Sequence, residues 1–476
     1  MSIPNFSNQE PYMKALLRIL KWVLIAGGGL LLIVMTGWIL APDEAIDPGA
    51  EAILAKPAVG PADKNGYFLV WGLLASAELD PHETGQKIVA EHGRPRAANN
   101  SVDFAKLKKM LGAKPLVVKA TRKRCEPEKI KCLPYYQGAQ SDYKADIAAN
   151  SLALERYRAL RGYPQYFERV LPAGIDAPLP SYAPAMTLSE LVDADIAVKV
   201  GAPATRKWAL DELAAEIELW RRIGRDSDTL INQMVAVNAL HRKFRLASEI
   251  LRTYPEVVRQ HAVKIAAITT PIPLKDLSLE RPLQGEFRVF ADLYQNLDRM
   301  VRASPVGIGL LTGTTEEFRG ALLHMGGYRP NASINILYAN HLANVQLIRK
   351  SPKEMVADRE AVVERQRNVN PWTPGAIAYN PVGRALTADS AMNVTPYAFR
   401  SVDLIGLSRM VELQRRAIET RAPTGRLPAS ALADKLTNPY TEQPFDWNVE
   451  KSTISFPGFS ERFLKDGRMS IDVGSM

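Results

Sequence analysis

Cysteine is nearly missing from this chain: Cys125 and Cys132, in CEPEKIKC, are the only two in 476 residues. A C-x6-C spacing is not a usual zinc pattern, and a closed site would need two further ligands close by. The pair is read instead as a disulfide closing a short loop in an oxidising compartment. Histidine is sparse too, with six residues, and none forms H-E-x-x-H. His82-Glu83 is followed by Thr84, Gly85 and Gln86, so the second ligand of that motif is absent. His241 shares a helical stripe with Val237 and Phe244, the place of a core histidine, while His324 and His341 fall on two separate expected helices. No metal site is expected. There is no G-x-S-x-G elbow and no S-x-x-K with its partner motifs. Gly307-Ile308-Gly309 lacks the G-x-G-x-x-G spacing, and no Walker lysine motif exists. The sequence assigns no catalytic residue and no cofactor.

One long hydrophobic run is present. Trp22 to Ala41 reads WVLIAGGGLLLIVMTGWILA, twenty residues without a charge. A helix rises about 1.5 Å per residue, so this run matches the roughly 30 Å hydrocarbon layer of a bilayer. Trp22 and Trp38 stand near its ends, where indole rings favour the interface. Lys14, Arg18 and Lys21 precede the run, and Asp43, Glu44, Asp47 and Glu51 follow it. Positive flanks stay cytoplasmic, which puts the N-terminus inside and the bulk of the chain outside. The apolar region is long for a cleaved leader and no clear A-x-A site precedes Pro42, so the expectation is a retained signal-anchor. Gly27 to Gly29 make no G-x-x-x-G frame with Gly37. No second comparable run follows, and the reading is a single-pass membrane protein.

The composition of the whole chain, 46% hydrophobic and 23% charged, is that of a folded protein. The net charge of +9 suits anionic headgroups or acidic envelope polymers, but a solvated surface that is merely basic is the preferred reading. Nucleic acid is not an expected partner, because no binding motif is present. The expected organisation is a cytoplasmic N-terminus (1–21), a transmembrane helix (22–41) and a tether (42–63) holding Pro42, Pro48, Pro57 and Pro61. An N-terminal helical subdomain (64–170), a proline-rich connector (171–185) and a main helical domain (186–476) follow.

Helical signals dominate. NGYFLVWGLLAS reads as a buried helix, and a further helix from Ser101 is stopped by Gly112. Thr187-Glu190, Thr314-Glu317 and Ser351-Glu354 have the form of capping boxes. Leu210, Leu213, Ile217 and Trp220, then Leu230, Met234, Val237 and Phe244, predict an antiparallel helix pair across a turn near Gly224. A second pair joins residues 315–325 to 331–349, with Asn331 as N-cap. TISF and RMSIDV alternate and predict a small hairpin. The fold class is mainly α: a transmembrane helix, an irregular bundle or α-solenoid-like exposed domain without a fixed repeat period, and a small C-terminal β hairpin.

Three places could carry contacts. Asp80, His82 and Glu83 lie on a turn and form the most suggestive titratable cluster, although Asp80-Pro81 also suits a helix start. Lys119, Arg122, Lys123, Arg124, Lys129 and Lys131 surround the cysteines, as a basic loop or a merely solvated one. Trp372, Tyr379 and Asn380 belong to NVNPWTPGAIAYNPVGRAL, read as a long loop suited to contacts or to covering a helical core.

NGYFLVWGLLA, DPHETG, TLINQMVAVNAL, NPVGRAL and NPYTEQPFDW, spread over residues 65 to 447, together resemble a group of uncharacterised proteobacterial single-pass inner-membrane proteins of unknown function. The resemblance implies a Gram-negative inner-membrane setting and supplies no site. NPYTEQPFDW is also similar to a D-P-Y-T-G-x-P ending on several bacterial envelope proteins, with Asn438 and Glu442 in place of its Asp and Gly. The resulting expectation is a membrane-anchored periplasmic protein, non-enzymatic, that binds another protein or an envelope component. The alternative is an envelope hydrolase using acidic residues around Asp80 to Glu83.

Overall fold

The computed structural model describes residues 10–55, 61–92, 104–168, 179–303, 327–367, 379–389, 393–420, 436–464 and 466–473. Their α-helices, in chain order, are α1 (Glu10–Leu40), α2 (Pro48–Leu54), α3 (Tyr67–Gly72), α4 (Pro81–His92), α5 (Phe104–Met110) and α6 (Cys132–Gly138). Then come α7 (Gln140–Ala149), α8 (Ser151–Ala159), α9 (Tyr182–Val200), α10 (Pro203–Asp226), α11 (Leu230–Thr253) and α12 (Val257–Gln260). The last six are α13 (Ala262–Thr269), α14 (Glu280–Ala303), α15 (Pro330–Ile348), α16 (Pro352–Arg367), α17 (Pro381–Asp389) and α18 (Thr395–Thr420). Three short strands close the order: β1 (Asp446–Asn448), β2 (Thr453–Pro457) and β3 (Arg468–Asp472). The chain is mainly helical with a small antiparallel sheet near its C-terminus.

Two compact units divide the chain. The first comprises Met1–Leu54, Phe290–Asn340 and Glu364–Ala391. Within it, α1 contains the run expected as the span. Among the described residues no helix is long and apolar enough to cross a membrane. The segment after α1, expected as tether, makes specific contacts. Both carboxylate oxygens of Asp43 accept backbone N–H groups at the start of α15, from Asn331 at 2.9 Å and Ala332 at 3.1 Å. Asn331 is therefore not the N-cap that the sequence suggests. The cap arrives from almost three hundred residues away, which no local spacing encodes, and Pro330 fits the first helical position where an N–H is dispensable. Asn335 then binds Glu44 and Ala45 through its amide nitrogen and accepts the Asp47 N–H.

The second unit comprises Ala55–Val289, His341–Val363 and Met392–Met476. Helix α9 runs through its core, buried nearly all round: Leu188, Leu191, Val192, Ile196 and Val200 are inside, and so are Ser189, Glu190 and Asp193. Helices α10 and α11 pack on it with the expected stripes, including Leu210, Leu213, Ile217 and Trp220, then Val237 and Phe244. Thr229, the N-cap of α11, accepts the Asn232 N–H. Where α3 crosses α4, a Cβ on Gly72 would stand 1.8 Å from the Pro81 oxygen, and one on Gly85 would stand 1.7 Å from the Phe68 oxygen. Only hydrogen at these positions allows the two backbones to approach.

The hairpin is present and a third strand extends it, in the order β1-β2-β3. Ile454 faces Ile471 and Phe456 faces Met469, all four buried, while the alternate residues are partly exposed. Of the three capping boxes, Ser351-Glu354 forms as expected: Ser351 accepts the Glu354 N–H, and Glu354 accepts the Ser351 N–H. Thr187 does not start a helix but lies inside α9, its hydroxyl donating to the Ala183 carbonyl. Thr314-Glu317 lies outside the described residues, as do Gly307, Gly309 and His324. Gly112 ends the α5 segment at φ +95°, as its punctuating role requires.

Candidate functional site

The residues singled out from sequence have mainly structural duties. Asp80 accepts the Glu83 N–H at 2.7 Å and so caps α4. Glu83 pairs with Lys87 one turn on, with both side chains mostly exposed. The His82 ring stacks on Tyr163, and its Nε2 meets the Asn65 carbonyl at 3.0 Å. Trp372 lies outside the described residues. Tyr379 donates to the Pro42 carbonyl. Asn380 is buried at φ +55°, and its side chain ties the Arg329 and Gly383 N–H groups to Ser333. From Pro381 the expected loop is already helix α17. His241 is a core histidine stacked on Phe463 at 4.2 Å, held well below its ordinary pKa by burial and then by the charges of Arg245, Arg242 and Arg462. Among the described residues, no three His, Cys, Asp or Glu side chains group as a metal site.

Cys125 and Cys132 are joined in a disulfide, with Cα atoms 5.8 Å apart. Carboxylates hold both ends of its loop, Glu190 buried and Glu249 half-buried. Glu190 of α9 accepts the Cys125 N–H at 2.7 Å. Glu249 of α11 accepts the Cys132 and Leu133 N–H groups where α6 begins, and an anion there complements the helix dipole. The surrounding basic loop is largely neutralised within the fold: Arg122 pairs with Asp142, Lys129 with Glu126, and Lys131 with Asp472.

Arg124 differs from its neighbours. It pairs with Glu190 at 3.1 Å yet also lines a cleft of about 490 Å³ in the second unit. One wall is the face of α11 carrying Ile231, Met234, Val235 and Asn238, at spacings that place them together. Met234, expected in the core stripe, belongs to this wall and is only partly buried. Tyr182 and Met186 from α9 add apolar surface. Two more arginines line the cleft, Arg400 of α18 and Arg462 between β2 and β3. Glu286 is the carboxylate that lines it, and it accepts the Leu230 N–H at 3.1 Å. Burial, only partly offset by that hydrogen bond, raises the pKa of Glu286.

Arg242 stands one helical turn beyond Asn238. Its guanidinium is buried, 3.8 Å from Glu190, and its nitrogens have no hydrogen-bond partner among the described residues. Burial raises the pKa of Glu190, and Arg242 and the Cys125 N–H counter that only in part. Glu190 thus stands between the guanidinium groups of Arg124 and Arg242, and Asp193 also lies within electrostatic reach of Arg242.

A separate ionic cluster lies in the core. The Lys243 ammonium, with no exposed surface, is 2.5 Å from Asp193 and 3.0 Å from Glu216. Glu216 also accepts from Arg161 and the Tyr157 hydroxyl at 2.8 Å each, and Tyr157 accepts the Trp220 indole N–H. Burial pushes the Glu216 carboxyl up, but Lys243 and Arg161 outweigh it and hold the group below its usual range. A carboxylate so fully engaged holds a core together, and nothing opens it to a substrate. Sequence reasoning found neither cluster, since their members come from distant stretches. Compared with known protein families, curated proteins and solved structures, the chain matches none.

Proposed function

We propose that this chain is a bacterial inner-membrane protein, anchored by α1 with its N-terminus in the cytoplasm, whose helical second unit is a periplasmic binding body rather than a catalyst. The observation that carries the reading is the exposure of α1. Leu16, Leu17, Ile19, Leu20, Val23, Leu24, Ile25, Leu30, Leu32 and Ile33 are each more than half exposed. Leaving one such side chain in water forgoes about 1.5–3 kcal/mol, so a continuous sleeve of them calls for an apolar surrounding. The basic residues before the uncharged run and the acidic ones after it support the orientation. The Cys125–Cys132 disulfide supports an oxidising compartment for the rest. The resemblance to proteobacterial inner-membrane proteins belongs to the same proposal, and the partner is another protein or a component of the envelope. Alkaline phosphatase fused after Met476 tests the orientation. The fusion should be active, and activity of a cytoplasmic reporter at that position would overturn both orientation and compartment.

A further inference from the structure

We infer that the cleft between α9, α11 and α18 binds an anionic amphiphile of small-molecule size, with a phosphate or carboxylate head against the arginines and an aliphatic or aromatic body along α11. This rests on the reading of the second unit as a binding body and names its ligand class. A volume of about 490 Å³ lies within the range of small-ligand sites. Its chemistry is two-sided: Tyr182, Met186, Ile231, Met234 and Val235 offer apolar surface, whereas Arg124, Arg400 and Arg462 offer fixed cations.

Guanidinium groups match carboxylate and phosphate oxygens in paired hydrogen bonds, and they stay charged throughout the accessible pH range. Arg462 is exposed and Arg400 half-buried, and neither has a carboxylate partner among the ion pairs of the described residues. The cleft's acid, Glu286, accepts the Leu230 N–H and forms no ion pair with these arginines among the described residues. Behind the rim, Arg242 adds a buried cation whose nitrogens have no hydrogen-bond partner among the described residues. Apolar contact alone would admit a neutral chain, and charge alone would admit any small anion. The combination selects a molecule carrying both.

The test uses the full chain in phosphatidylcholine nanodiscs, with empty nanodiscs as reference, titrated calorimetrically with octyl phosphate, 1-octanol and inorganic phosphate. Octyl phosphate should bind at least tenfold more tightly than either of the others. Arg462→Gln and Arg400→Gln should each weaken it at least tenfold. Ile231→Glu, at an exposed position on the α11 wall, should weaken it similarly by setting a negative charge beside the ligand. An unchanged unfolding midpoint certifies that each variant is folded. Octanol binding as tightly as octyl phosphate, inorganic phosphate doing so, or native affinity in both arginine variants would each overturn the inference. Because binding is read in purified protein, it can fail while the membrane orientation stands, and the reverse.

Discussion

Helix α1 wears leucine and isoleucine on its outside, while helix α9 keeps glutamate and aspartate on its inside. Each inverts the ordinary arrangement, and each needs a different remedy. Exposed apolar surface is relieved by a change of solvent, which the fold cannot supply for itself. Buried charge is relieved by partners, and the fold supplies those: Lys243 for Asp193, and Arg124 with the Cys125 N–H for Glu190. The inverted helix with internal partners is thus a feature of stability, whereas α1, exposed along its described side chains from Ala15 to Leu30, is the one we propose to surround with a membrane.

Removing a partner from the α9 side should break this contrast most strongly. Lys243→Met leaves Asp193 and Glu216 facing each other in the core without their shared cation. Loss of one member of a buried pair costs about 3–5 kcal/mol, so the urea midpoint should fall by a corresponding amount. Adding Asp193→Asn to the same chain should recover part of the loss. A Lys243→Met protein as stable as the native one would show that the cluster contributes nothing.

A smaller effect sharpens the comparison at the start of α9, where the Tyr182 hydroxyl donates to Glu168. Glu168 is buried, and burial raises its pKa to about 7 despite hydrogen bonds from the Asp228 and Thr229 backbones. The folded chain therefore keeps a proton that the unfolded chain releases near its ordinary value. That contribution is complete at lower pH and is lost as pH rises through about 7, amounting to about 3 kcal/mol by linkage. Glu168→Gln does not titrate. Between pH 4.5 and pH 8 the native midpoint should fall relative to that of the variant, and parallel curves would refute the assignment.

What was legible in the sequence follows from how far apart partners lie. Ser351 and Glu354 cap a helix three residues apart, and their pattern was sufficient. The stripe from Leu210 to Trp220 repeats within one helix and read correctly. Thr187 and Glu190 had the same local form, yet Glu190 reaches sixty-five residues back to Cys125, so the pattern misled. The disulfide was legible because its ends are only seven positions apart in the sequence. The cleft was not: Arg124, Arg400 and Arg462 converge from three stretches, and no spacing links them. Glu442 adds an instructive case. Its φ of +58° is the left-handed conformation that glycine favours, at the place where the D-P-Y-T-G-x-P ending has glycine.

The membrane anchor is the claim on which the placement of everything else depends. Carbonate extraction of membranes from cells expressing the full chain, beside cells expressing residues 41–476, tests it most directly. The shorter chain retains Ala41 and Asp43, so the contacts made to Arg329 and α15 survive the deletion. The full chain should stay in the membrane pellet after extraction, and the shorter one should appear folded in the soluble fraction. Release of the full chain by carbonate would contradict the account, as would retention of the shorter one in the pellet.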